Sequence, residues 1–235
     1  ETHLKACDGY LIKSPTTEFL DASEKSVNAY YLGLIFTKLF SMKEFDTDYF
    51  LHTTLFEQVY GSNAFICNGR KKPSFVGYKK SSDQWSIWES TGKRDHAPKA
   101  LDDAYNQVLA IREVNGQTPS YAMACMTYFD TKHGELQGIM RNATSGKKAN
   151  ISFDKEQFFT LYYRHICEIF DESLRRKPFD SVIDYIDGYL EIELELFGLD
   201  IDGTNKDDYA KRRRIKLGVP KDILAFFQYN KGRSK

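Results

Sequence analysis

The sequence predicts an α/β protein, a mixed sheet flanked by helices followed by a helical C-terminal part, and three observations lead there. Between residues 20 and 130 the pattern runs helix, strands, helix, strand, which is the order of an α/β core and not of a bundle or a sandwich. The 235 residues are 41% hydrophobic and hold 17 Phe and 15 Tyr against 6 Pro, the supply of a packed core and not of a disordered chain. After a polar stretch at 144–150 the pattern turns helical almost to the end. The expected division is a core over 1–145 and a helical region over 151–235, packed on that core or on a partner.

Each element has its own signal. Asp21 and Glu24 form a capping box, and Val27, Tyr30, Tyr31, Leu34, Ile35, Lys38 and Leu39 follow at helical spacing, giving an amphipathic helix of about five turns. Residues 49–59 and 65–67 are aromatic and branched. Residues 75–78 and 85–90 read as the two strands of a hairpin around the polar turn at 79–83. Pro98 stands where a helix starts, with Ala100, Leu101, Ala104, Val108 and Ile111 along one stripe, and a buried strand follows over 121–129. Past the linker, Asp154 and Gln157 cap a helix carrying Phe158, Leu161 and Tyr162. A second helix is expected over 179–197, lined by Asp180, Asp184, Asp187, Glu191, Glu193 and Glu195.

Composition excludes several classes of function. Thirty-three basic and 33 acidic side chains cancel, so the surface as a whole does not attract nucleic acid or anionic lipid. No apolar run approaches the ~18 residues of a membrane span, and residues 1–10 lack an apolar leader, so a cytoplasmic protein off the membrane is expected. Four widely spaced cysteines offer no C-x-x-C pair and read as reduced thiols. There is no G-x-S-x-G elbow, no G-x-G-x-x-G and no His-x-x-x-His; Thr91-Gly92-Lys93-Arg94 lacks the upstream glycine of a P-loop.

What remains is the run from Arg70 to Gly77 with Pro73-Ser74 at its centre, the run from Trp85 to Arg94 with Glu89-Ser90-Thr91, and the helix that reaches Gln107. This layout resembles the PD-(D/E)xK, or restriction-endonuclease-like, nuclease superfamily. There Pro-Asp opens one hairpin strand, (Asp/Glu)-x-Lys closes the next, and a helix often bearing a Gln follows. The family's chemistry needs two carboxylates on Mg²⁺ and a Lys beside them, so that metal and ammonium ease hydroxide formation and offset charge on the phosphate. Here Ser74 replaces the aspartate and Thr91 the lysine; only Glu89 is kept. Strand alternation puts Glu89 and Thr91 on one face, and threonine carries no charge.

Three readings follow from the resemblance. In the first, the chain is a nuclease fold with a degenerate metal site, needing no cofactor. It then serves as a nucleic-acid-binding or scaffolding component of a bacterial DNA-processing or phage-defence assembly. In the second, it is an active Mg²⁺-dependent nuclease with relocated groups: Glu89 and Glu24 as metal ligands, Lys93 as charge stabiliser, and Asp83 or Asp95 as substitutes for the lost acid. In the third, the aromatic helical half docks on a protein partner without nucleic acid. The candidate nucleic-acid contacts are Arg70, Lys71, Lys72, Lys79, Lys80, Arg94 and Gln107, all expected to flank one cleft. Plainer roles stand beside these: Glu24 completes a capping box, Glu89 pairs with Lys93 or Arg94, and Gln107 lies on an exposed helix face. The basic run 211–216 neutralises the acidic helix expected before it.

Overall fold

The structure is a computed structural model that describes residues 4–7, 9–68, 71–143, 149–175, 184–186, 189–197 and 212–220. Two compact units divide it, Glu1–Lys155 and Glu156–Lys235. In chain order the first unit holds β1 (Leu4–Cys7), β2 (Tyr10–Lys13), a 3-10 turn (Pro15–Phe19), α1 (Ala22–Glu44), β3 (Tyr49–His52), α2 (Thr54–Tyr60) and β4 (Phe65–Cys67). β5 (Phe75–Lys79), β6 (Gln84–Gly92), α3 (Pro98–Leu109), β7 (Ile111–Val114), β8 (Ala122–Phe129), β9 (Leu136–Asn142) and β10 (Ala149–Phe153) complete it. Then come α4 (Lys155–Arg175), β11 (Asp184–Ile186), β12 (Tyr189–Phe197) and β13 (Arg212–Pro220). No helix among the described residues is long and apolar enough to cross a membrane.

The centre of the first unit is a five-stranded mixed sheet in the order β3-β5-β6-β8-β9. β5 and β6 form the expected hairpin, with Phe75 opposite Trp88 and Lys79 opposite Gln84. β6 and β8 run parallel, joined through α3, whose Pro98 sits in its first turn as the sequence implies. α1 and α3 cover opposite faces of the sheet. Thr37 of α1 donates to Ser90 of β6 at 3.0 Å, while Gln107 of α3 donates to the neighbouring Glu89, and adjacent strand residues point to opposite sides. On the α1 side Phe50, Phe75, Trp88, Met123 and Cys125 form a buried cluster closed by Leu34, Phe45 and Tyr121. A smaller sheet, β4-β10-β7, pairs β10 antiparallel with β4 and parallel with β7. Residues 144–148 of the expected linker lie outside the described residues, and Ala149–Phe153 belongs to this sheet of the first unit.

Two expectations are corrected here. The capping box of α1 forms, with Asp21 Oδ1 accepting from the Ser23 and Glu24 amides and Glu24 accepting from the Asp21 amide at 2.9 Å. Its buried face, however, is not the apolar stripe but Ala29, Gly33, Thr37 and Ser41. Val27, Tyr30, Tyr31, Ile35, Leu39 and Met42 are exposed. The cause is proximity: a Cβ on Gly92 would run into the Ala29 carbonyl, and one on Gly33 would lie 2.7 Å from the Gly92 nitrogen, so only small residues fit where helix meets strand.

The second correction concerns the C-terminal part. α4 is helical, but the helix expected over 179–197 is not what the chain forms where it is described: Asp184–Ile186 and Tyr189–Phe197 are strands of an antiparallel sheet, β11-β12-β13. Leu190, Ile192, Leu194 and Leu196 alternate with Glu191, Glu193 and Glu195, a period of two that belongs to a strand. The register places Glu193 opposite Lys216 and Glu195 opposite Arg214. The basic segment is thus the register partner of the acidic one within a strand pair, not a neighbour of an acidic helix.

Candidate functional site

The chain entering β5 is tied down on every side. Thr53, at the start of α2, donates its hydroxyl to the Pro73 carbonyl at 2.6 Å and its amide to the Ser74 carbonyl at 3.0 Å. The Ser74 amide donates to Glu89 Oε2 at 2.7 Å, and the Ser90 amide reaches Ser74 Oγ at 3.4 Å. Gln107 closes the group. Its Nε2 donates to Glu89 Oε2 at 2.8 Å and to the Lys72 carbonyl at 2.5 Å, so both amide hydrogens are used. Gln107 reaches this place because Ala104 and Val108 turn the same side of α3 toward the sheet, and Glu89 is the β6 residue that faces it. Gln107 is thus half-buried and bonded, not an exposed helix position.

Burial pushes the Glu89 carboxyl up to about 7, against the opposing pull of the Ser74 amide and the positive charge of Lys71. Lys72 is paired with Glu57 of α2. Of the expected site residues, then, Glu89, Gln107, Lys71 and Lys72 come together, along with Ser74. Thr53 and Glu57 join them although nothing in the sequence marked either, since no local pattern connects α2 to the entry of β5.

The other expected residues lie elsewhere. Glu24 caps α1, on the opposite face of the sheet from Glu89. The α1 residue that meets Ser90 is Thr37, about 13 residues or ~20 Å of helix further on, so Glu24 and Glu89 cannot share an ion. Lys93 is exposed past the end of β6, about 13 Å of strand from Glu89. Arg94 and Asp95 line a separate pocket with Lys13, Lys25 and Leu32. Lys79 and Lys80 lie at the far end of β5, where Lys79 pairs with Asp46 at 3.1 Å and the Lys80 amide donates to Asp48. Asp83, in the hairpin turn at φ +51°, is held by Tyr78 and Lys155. The expected ring of cations around one cleft is therefore split between the two ends of the hairpin, because β5 separates the runs that the sequence lists close together. Arg70 lies outside the described residues.

The donor set does not fit a hard divalent ion. Glu89 Oε2 already accepts two N–H bonds, its carboxyl is partly protonated near neutral pH, and the neighbouring positions are the hydroxyls of Ser74 and Thr91. Another group of ligand types, Asp130, His133 and Glu135, brings its atoms within 4.8 Å of one another. Asp130 spends its oxygens there on the amides of Lys132, His133 and Glu135, and those bonds hold its pKa below the usual carboxylate value, led by the His133 amide. It organises the β8–β9 turn.

Compared with protein-family models, with curated proteins and with solved structures, the chain matches none.

Proposed function

We propose that this chain is a nuclease-like scaffold that has given up its metal chemistry and binds the phosphate backbone of nucleic acid, as a component of a larger assembly. One observation carries the reading: the single acid at the motif position, Glu89, is engaged by the Ser74 amide and Gln107 and serves to lock two strands and a helix together. Its neighbours at the positions of the resemblance's other two charges are neutral. Support for the scaffold comes from the order of elements, with α1, the strands β3, β5 and β6, then α3 and β8, and from Pro73, Glu89 and Gln107 standing at the hairpin entry, the strand and the following helix. Lys71 and Lys93, exposed at the same end of the hairpin, supply the attraction to phosphate. The bacterial DNA-processing or phage-defence setting is the one the resemblance implies.

The test is fluorescence anisotropy of labelled single- and double-stranded DNA and RNA at rising salt, beside a cleavage assay with Mg²⁺ and Mn²⁺. Binding should weaken with salt, and the double substitution Lys71→Ala/Lys93→Ala should lower the slope of log K against log salt by about 2. No cleavage should be seen. Metal-dependent cutting that disappears in Glu89→Ala overturns the reading, and so does a lack of binding at low salt.

A further inference from the structure

The outward side of α1 carries an apolar surface that its own unit does not cover. Val27, Tyr30, Tyr31, Ile35, Leu39 and Met42 are each between 43% and 55% exposed, and Phe19, just before the helix, is 91% exposed. On a helix wheel Tyr31, Ile35, Leu39 and Met42 fall opposite Ala29, Gly33, Thr37 and Ser41, the residues against the sheet. The helix is thus anchored by small side chains and presents its large ones to the outside. These six residues expose roughly 600 Å², and about 750 Å² with Phe19, at the upper end of the largest apolar patch of an ordinary monomer and close to the ~800 Å² that each partner gives to a standard interface.

We propose that this face is the contact between two copies of the chain, with the α1 helices packed antiparallel about a two-fold axis. Three features select a second copy. The area is that of one side of a stable dimer. The stripe runs most of the length of a 23-residue helix, so that it can lie against its own reversed copy about a two-fold axis. Its two ends carry opposite charges, Glu24 at the start and Lys43 at the finish. Reversal brings Glu24 of one copy to Lys43 of the other, whereas parallel packing would set Glu24 against Glu24 and Lys43 against Lys43. Reversal also sets Val27 against Met42 and brings Ile35 close to the axis. In such a pair α1 lies inside, and the faces carrying α3 and Glu89 point away from the contact. The proposal does not rest on the nucleic-acid reading, and a failure to bind DNA or RNA leaves it standing.

Sedimentation velocity of the full chain at tens of micromolar tests it first: the mass should be that of two chains, and Tyr31→Glu/Ile35→Glu should return it to one with an unchanged circular-dichroism spectrum. Cross-linking tests the geometry. In a chain with Cys7→Ser and Cys67→Ser, which removes the half-buried thiols, Ile35→Cys should oxidise to a covalent dimer. Val27→Cys should do so only when mixed with Met42→Cys. A single-chain mass at every concentration overturns the proposal. If Ile35→Cys also resists maleimide in that monomer, the chain's own residues beyond 155 cover the face. A dimer that survives Tyr31→Glu/Ile35→Glu, or a Val27→Cys chain that cross-links alone, equally overturns it.

Discussion

Glu89 is an acid that folding prefers to protonate. Its carboxyl moves from 4.5 to about 7 on burial, so the folded chain binds a proton that the unfolded chain releases between those values. Stability from this group is therefore present at low pH and lost as pH rises through that window, by up to ~3 kcal/mol at 1.36 kcal/mol per unit. Glu89→Gln keeps an oxygen for the Ser74 amide and for Gln107 but cannot ionise. Urea unfolding should show the two proteins similar at pH 5 and the variant more stable at pH 8, which a wild-type curve flat over that range would refute. Gln107→Leu should cost about 1–3 kcal/mol at any pH, because it leaves the Lys72 carbonyl and Glu89 short of a donor. At this scale the sequence was legible in part. The layout of Pro73, Glu89 and Gln107 singled out residues that the fold brings together, but a face of a helix can be read from periodicity and the atom it meets cannot. Glu57 and Thr53 approach through the tertiary fold alone.

Elements with a local signal were legible, and those defined by their partner were not. The capping box, the β5–β6 hairpin and Pro98 at the start of α3 are each written within a few residues. α1 shows the opposite: periodicity announces a helix, but which side is buried depends on how near the sheet comes, and here closeness outweighed hydrophobicity. Gly92→Ala tests this. Its methyl group would meet the Ala29 carbonyl, so α1 must shift, and we expect a loss of ~3 kcal/mol or more in denaturant unfolding, with Trp88 fluorescence changed. A loss below ~0.5 kcal/mol would mean that α1 is not seated on β6 as described. β12 was misread for another reason. Acids recurring along a segment suit a helix face, and only the strict alternation of Leu and Ile with Glu decides for a strand.

At the scale of the molecule, two compact units imply two folding events. Calorimetry should resolve two transitions, and Glu89→Gln should move only one of them at pH 8, that of the unit containing β6. A single transition displaced as a whole would argue for one cooperative block. The α/β class of the first unit was readable from the order of its elements, while the second sheet, assembled from pieces far apart in sequence, was not. That sheet also constrains how the protein can be made. Among the described residues β4 and β7 do not pair with each other; β10 lies between them, pairs with both, and is the last strand of its unit to leave the ribosome. Until residue 153 has been synthesised both strands keep open edges, and a chain stopped before Ala149 should stick to its neighbours and be found in inclusion bodies.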